Sequence, residues 1–286
     1  MPAVTTIAPR DQALPSYREL RLHLEERRGI AWCWMQPSAR PCFSTALLAE
    51  LNHWFEYLHQ HAERLGVRYH VIASAVRGTY NLGGDLDLFH RLIRTRDRAG
   101  LRAYGKQCID ALHANLRGFD APVTTISLVQ GSALGGGFEA ALSSDVLIAE
   151  HGTRMGFPEI LFNLFPGMGA YSFLSRRLDA KRAERIILSG DLYDAGALHD
   201  MGLVDVLAEP GDGELAVYDY VRREDRARNG YRALRQVRDR LDPVSYAELR
   251  DIVEIWVDTA LRLDPRDLRM MQRLVSRQTA LTAAAA

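Results

Sequence analysis

Two glutamates, Glu139 and Glu159, stand twenty residues apart, each inside a motif marked by glycine or proline. Glu139 closes the run Val129-Gln-Gly-Ser-Ala-Leu-Gly-Gly-Gly-Phe-Glu139. Glu159 closes Met155-Gly-Phe-Pro-Glu159, and Phe165-Pro-Gly-Met-Gly169 follows it. A glycine run that leads from a strand into a helix presents unpaired backbone N–H groups at the positive end of the helix dipole, a place that favours an oxyanion. A second N–H can come from the turn Asn81-Leu-Gly-Gly-Asp85, which also follows a strand. Two carboxyls across such a site can move protons on the carbons beside a carbonyl. One takes a proton from Cα and the other protonates a hydroxyl leaving from Cβ, while the N–H pair holds the enolate oxygen. The acid of such a pair must stay protonated near neutral pH, which an apolar pocket achieves.

Taken singly, these features have plainer explanations. A glutamate in a first helical turn is favoured by the dipole alone, and a triple glycine can be a close packing contact. A dinucleotide fingerprint fails on spacing. Gly131-Ser-Ala-Leu-Gly135 lacks G-x-G-x-x-G, and Pro158 interrupts the strand that should precede the acid. The pairing of the two acids with two glycine turns is what points to chemistry.

The elements that must position these residues follow from hydrophobic period. Leu20, Leu22 and Leu24 alternate with polar residues and predict a half-buried strand; Ile30–Met35 predicts a more buried one, with Gly29 at the hairpin turn. Ser44 to Leu65 carries Leu47, Leu48, Leu51, Trp54, Phe55 and Leu58 on one helical face. Strands are predicted at 69–76, 123–129 and 145–149, and helices at 99–118 and from Gly135 onward. Beyond residue 170 helical patterns dominate, at 170–188, 194–201, 214–239, 243–263 and 265–280, with one strand at 203–207. Strands alternating with helices imply crossovers and a largely parallel sheet, an α/β fold with a helical C-terminal region. The expected division is a core over 18–210, a helical region over 211–280, and flexible ends at 1–17 and 281–286.

The bulk properties narrow the class. At 286 residues the chain can bury roughly three quarters of its unfolded surface. Lys plus Arg equals Asp plus Glu at 36 each, so the charge balance does not call for nucleic acid as a partner. Cys33, Cys42 and Cys108 are an odd number without metal-ligand spacing, which predicts reduced thiols, no disulfide framework and no metal. No apolar run reaches the roughly 18 residues of a membrane span, and residues 1–17 do not read as a signal peptide. The expectation is a cytoplasmic protein that needs no cofactor.

In order and spacing, Asn81–Asp85, Gly131–Glu139, Met155–Glu159, Phe165–Gly169, Leu188-Ser-Gly-Asp191 and Met201–Val204 resemble the crotonase (enoyl-CoA hydratase/isomerase) superfamily over roughly residues 20–280. The resemblance implies a spiral of ββα units with C-terminal helices, assembled as a homotrimer or hexamer. It implies catalytic roles for Glu139 and Glu159, and an oxyanion hole from the N–H of Gly136 with that of Leu82 or Gly83. Tyr80–Phe89, Leu128–Leu142, Leu164–Phe173 and Glu254–Ala260 further resemble the diffusible-signal-factor synthases. That likeness implies a 3-hydroxyacyl thioester on acyl carrier protein as substrate, its dehydration, and hydrolysis to a free cis-2-unsaturated fatty acid. An ordinary enoyl-CoA hydratase acting on a CoA thioester is the alternative, and a non-catalytic binding protein on the same scaffold a third. Met168 and Trp256 are expected to line an apolar acyl pocket.

Overall fold

The computed structural model describes the backbone of residues 14–285 and the side chains of residues 14–276. The chain begins with a hairpin, β1 (Leu20–Glu25) and β2 (Ile30–Met35), turned at Gly29. Helix α1 (Thr45–Leu65) follows, N-capped by the Ser44 hydroxyl and closed by Gly66 in the left-handed conformation. Then come β3 (Tyr69–Ser74), β4 (Thr79–Asn81), α2 (Leu86–Arg94) and α3 (Arg98–Leu116). The next unit is β5 (Thr124–Val129), β6 (Ser132–Leu134) and α4 (Gly136–Leu142). A third is β7 (Val146–Glu150), β8 (Arg154–Gly156), a 3-10 turn over Pro158–Phe162, and helices α5 (Ala170–Arg177) and α6 (Ala180–Ser189). The chain continues through β9 (Leu192–Asp194), α7 (Ala195–Asp200) and β10 (Val206–Ala208). It ends in α8 (Gly213–Asp225), α9 (Arg228–Leu241), α10 (Tyr246–Ala260) and α11 (Pro265–Ala285).

Each of the three units sends its first strand to one sheet and its second to another. The larger sheet has the order β1-β2-β3-β5-β7-β10 and is parallel except for β1. The smaller has the order β4-β6-β8-β9 and is parallel except for β9. This is the expected ββα spiral. The central strands β2, β3, β5 and β7 of the large sheet are covered on both faces, so they read as apolar runs, whereas the edge strand β1 alternates. One face packs on α1, α3 and α4; the other holds Trp32, Val71, Ile126 and Ile148 against Val217 and Val221 of α8.

Several expectations needed correction. The small sheet was not foreseen. The strand expected at 203–207 lies at 206–208, because the N–H groups of Leu203 and Val204 close helix α7 by donating to the Leu198 carbonyl. The single helix expected over 170–188 breaks at Leu178, and Asp179 caps α6 by accepting from the Arg182 N–H. The helix expected over 214–239 divides after Arg226. Residues 14–17 are not loose: Leu14 and Tyr17 pack on the core, and the Tyr17 hydroxyl lies 2.6 Å from His53 Nδ1. Helix α11 runs to Ala285, beyond the expected end. The rest of the expected flexible end, residues 1–13 and 286, lies outside the described residues.

Where the two sheets meet the helices, the backbone of α4 approaches β4 too closely for a side chain. A Cβ at Gly137 would lie 2.1 Å from the Asn81 carbonyl oxygen and 2.8 Å from its carbon. Gly137→Ala should therefore destabilise the fold by about 1–3 kcal/mol, read as a lower denaturation midpoint. Gly230→Ala, in α9 with nothing within 4 Å of the new methyl, should leave the midpoint unchanged or raise it. Equal midpoints for Gly137→Ala and wild type would contradict the close approach.

Candidate active site

Helix α4 starts from Gly135, whose φ of +53° lets strand β6 turn sharply into the helix. A side chain there would also collide with the Glu159 carboxyl, since a Cβ at Gly135 would lie 2.2 Å from Glu159 Oε1. One residue on, a Cβ at Gly136 would lie 3.7 Å from Glu139 Oε2. Adjacent Cα atoms are about 3.8 Å apart. The glycine turn thus brings the two carboxyls to one place, as the sequence motifs suggested.

Their environments differ. Glu139 is buried, and its Oε1 accepts from the backbone N–H groups of Met168 (2.9 Å) and Ala170 (3.0 Å). Burial raises its pKa to about 7, opposed by those backbone donors. Glu159 follows Pro158 in the 3-10 turn, and its Oε2 is buried without a hydrogen-bond partner among the described residues. Burial, with the nearby Glu139 charge adding to it, raises its pKa to about 8. The residue as a whole is half-buried, while its carboxyl Oε2 is buried. Both groups therefore hold protons far above the usual carboxylate range. Between those two values the pair carries about one proton, with Glu139 the better place for the charge and Glu159 for the proton.

The second glycine turn lies against the first. A Cβ at Gly83 would be 3.0 Å from the Gly136 nitrogen, and one at Gly136 would be 3.5 Å from the Gly84 nitrogen. The segment Pro41–Phe43 brackets this turn. The Leu82 N–H donates to the Pro41 carbonyl (2.7 Å), and the Phe43 N–H donates to the Gly83 carbonyl (2.7 Å). The Gly83 N–H donates to Asn81 Oδ1 (2.8 Å). Both N–H groups expected to serve as the second oxyanion donor are therefore already engaged within the protein. Those of Gly84 and Gly136 have no acceptor among the described residues, and both residues line the same cavity. Gly84 was missed because its availability depends on what Pro41 and Asn81 do to its neighbours. Its place directly before Asp85, the N-cap of α2, was the signal that could have found it.

The cavity encloses about 770 Å³ including its open mouth, and its wall is mainly apolar. Met168 and Trp256 are both buried and both line it. Trp256 lies against Gly167, where a Cβ would be 2.4 Å from the indole, and meets Phe89 edge-to-face with ring centroids 5.0 Å apart. The cavity passes between α1 and α3, reaching Phe55 and Asn115. Cys108 also lines it, and burial pushes its thiol pKa far up. Cys33, Cys42 and Cys108 are all free thiols. Among the described residues no helix is long and apolar enough to cross a membrane.

Comparison with known proteins agrees with this geometry. Residues 25–251 match the enoyl-CoA hydratase/isomerase family model. An enoyl-CoA isomerase/hydratase of Zymoseptoria tritici is 30% identical over 181 residues, covering 63% of this chain and 56% of the relative. The mitochondrial enoyl-CoA hydratase domain-containing protein 2 of Bos taurus is 32% identical over 193 residues, covering 67% and 62%. The matches thus span less than two thirds of these relatives' own length. Among solved structures, an enoyl-CoA hydratase from Bacillus halodurans superposes with a TM-score of 0.76 at 17% identity, covering 90% of this chain and all of that one. Pseudomonas aeruginosa DspI superposes with a TM-score of 0.64 at 23% identity, covering 85% and 87%. At these identities the two structures bear on the fold alone. The family match over most of the chain, joined to the spiral of ββα units that carries it, makes this chain a member of the enoyl-CoA hydratase/isomerase family.

Proposed function

We propose that the protein dehydrates a 3-hydroxyacyl thioester, presented on acyl carrier protein, and hydrolyses the product to a free cis-2-unsaturated fatty acid. The observation that carries this reading is the pair of buried carboxyls, both held by burial above the ordinary carboxylate range, beside two backbone N–H groups without an acceptor among the described residues, at the wall of a mainly apolar cavity. The thioester oxygen sits on the N–H groups of Gly84 and Gly136. The ionised carboxyl takes the proton from Cα, and the C–H electrons become the enolate held by those two donors. As the enolate collapses, the Cα–Cβ double bond forms and the Cβ–O bond breaks. The protonated carboxyl gives its proton to the leaving hydroxide, releasing water. One oxyanion donor of this kind is typically worth about 2.7–4 kcal/mol in the transition state.

Hydrolysis then reuses the same oxyanion site, because attack of water on the carbonyl again builds negative charge on that oxygen. A carboxylate of the pair accepts the proton of the attacking water as the O–C bond forms; the tetrahedral oxyanion then collapses, the C–S bond breaks, and that proton passes to the sulfur, which leaves as the thiol. Met168 and Trp256 hold the acyl chain. The second reading, an ordinary enoyl-CoA hydratase of fatty-acid breakdown acting on a CoA thioester, is favoured by the names of the curated relatives. It needs the same pair and the same N–H groups, but no hydrolysis.

Three measurements test these statements. The first is a mass-spectrometric time course of purified protein with 3-hydroxyacyl groups on carrier protein and on CoA. Free enoic acid should appear without any added thioesterase. Accumulation of the enoyl thioester instead would favour the simple hydratase. The second is the pH profile. Because the dehydration needs one proton on the pair, kcat/KM should be bell-shaped with its maximum between about pH 7 and about pH 8. Glu139→Gln and Glu159→Gln should each reduce turnover by at least roughly 100-fold while the protein stays folded. A flat profile, or full turnover in either variant, would remove the pair from the mechanism.

The third concerns stability. Unfolded Glu159 loses its proton near pH 4.5, and the folded one near pH 8. Between these values the folded state binds more protons than the unfolded one, so this group's contribution to stability falls as pH rises. Glu159→Gln should therefore melt above wild type beyond pH 8 and close to it below pH 4.5. A pH-independent difference in Tm would place the carboxyl in water.

A further inference from the structure

The cavity has a polar floor. Its wall along α3 is formed by Tyr104, Cys108, Ala111, Leu112 and Asn115, one face of the helix. Tyr104 stands level with the oxyanion turn, for its hydroxyl accepts from the Asp85 N–H and donates to the Phe43 carbonyl. Asn115 lies eleven residues further along, roughly 16 Å at the helical rise of 1.5 Å per residue. Apart from Asn115 and Ser143, the deep part of the wall is apolar, with Leu48, Leu51, Phe55 and Ile72 opposite α3.

Asn115 is 3% exposed, and its Oδ1 has no hydrogen-bond partner among the described residues. Its orientation is fixed by its other end. Nδ2 donates to Ser143 Oγ (2.9 Å) and to Ser144 Oγ (3.0 Å). The Ser143 hydroxyl spends its own proton on the Ala140 carbonyl (2.7 Å), so toward Asn115 it can only accept. A flipped amide would set two acceptors against each other. Ser144 is held in turn by Ser127 Oγ at 2.8 Å, which lies 3.2 Å from the Tyr80 hydroxyl. The Arg177 guanidinium donates to the Leu142 and Ser144 carbonyls and so fixes the end of α4. The network thus leaves the carbonyl oxygen of a cavity-lining residue without a partner among the described residues, where an unmade hydrogen bond is costly.

Given the reading of the cavity as an acyl site, we infer that Asn115 is a specificity-determining residue, whose free Oδ1 accepts a hydrogen bond from an O–H group at the distal end of the bound chain. That O–H has two sources. One is a hydroxyl on the tail of an acyl chain that fills the tunnel; the other is a single water above Asn115 when a shorter, methyl-ended chain leaves room. Either way, a methyl-ended chain long enough to touch Asn115 strips the oxygen of a partner and is disfavoured. Sites built to hydrogen-bond a hydroxyl reject the analogue that lacks it.

The test compares wild type with Asn115→Leu, close in size but without the acceptor, and with Asn115→Gln as a variant that retains an amide. Binding of free enoic acids of graded chain length, ending in methyl or in hydroxyl, is measured by calorimetry beside turnover of the matching 3-hydroxyacyl thioesters. In wild type, affinity for methyl-ended acids should peak and then fall at the length that reaches Asn115. At that length the hydroxyl-ended acid should bind roughly tenfold more tightly than its methyl-ended counterpart. Asn115→Leu should abolish this preference and shift the peak to longer methyl-ended chains; Asn115→Gln should retain a preference for the hydroxyl. A water as the donor is recognised by a wild-type peak one step shorter than that of Asn115→Leu. Identical length profiles and no hydroxyl preference in wild type and Asn115→Leu would overturn the inference even if thioesters are turned over normally. A hydroxyl preference without any thioester turnover would instead sink the proposed reaction and leave Asn115 in its role. Should Asn115→Leu not fold, Asn115→Gln and the wild-type comparison of tail groups decide the matter.

Discussion

The site depends on two stretches of backbone being bare where they meet. The turn at Gly83–Gly84 lies against the start of α4 at Gly135–Gly137, and hypothetical side chains at Gly83, Gly135 and Gly137 would all collide with backbone or with Glu159. That approach ties the end of β4 to the end of β6 and so holds the small sheet against the helices. It sets two N–H donors side by side, and it leaves room for the Glu159 carboxyl above Gly135. Most other features of the active site can be seen as consequences of it. Asn81 occupies the Gly83 N–H and Pro41 the Leu82 N–H, which leaves Gly84, a cavity-lining residue, as the member of the turn whose N–H has no acceptor among the described residues.

The electrostatics follow from the same arrangement. Packing α4 and the Pro158–Phe162 turn together removes two carboxyls from water, and a buried carboxylate is expensive unless it is hydrogen-bonded or protonated. The structure uses both remedies, one on each residue. Glu139 receives backbone donors from the Met168–Ala170 turn, and Glu159 receives none at Oε2. The asymmetry of the pair is therefore written in main-chain geometry rather than in a neighbouring cation. Substitutions in the Phe165–Gly169 loop should alter acidity without touching either acid.

Legibility in the sequence followed burial and length. The central strands of the large sheet were visible because both faces are covered and their residues form apolar runs, and β1 because Leu20, Leu22 and Leu24 alternate with polar residues. The four strands of the small sheet are three residues each and include Thr79, Asn81, Ser132 and Arg154, so neither period nor composition marks them. The helix break at Leu178 was invisible because apolar spacing continues across it, although Asp179 was a usable capping signal; around Arg226 the run Arg222–Gly230 is almost wholly polar and offers no apolar period to mark where one helix ends. Glu139 and Glu159 were legible because glycine and proline motifs frame them. The choice among Leu82, Gly83 and Gly84 was not, since it turns on which N–H is consumed by a partner: Pro41, far away in sequence, takes that of Leu82, and the Asn81 side chain takes that of Gly83. Asn115 was hidden for a related reason: an asparagine on the apolar face of a helix does not reveal which of its atoms remain unpaired.

One wall residue bears on what the cavity can hold without damage. Cys108 lines the same space as the two acids, and burial, with the Glu139 charge adding to it, pushes its thiol well above the usual cysteine range. The thiolate is the nucleophilic form of cysteine. Kept as a neutral thiol, Cys108 behaves as a small apolar surface. In the proposed reaction, a thioester seated beside it would be spared transthioesterification, in which the acyl group would migrate from its carrier onto the protein and leave it acylated. The desolvation that raises the proton affinity of the glutamates thus also silences the one sulfur among the residues lining the cavity that could intercept the substrate.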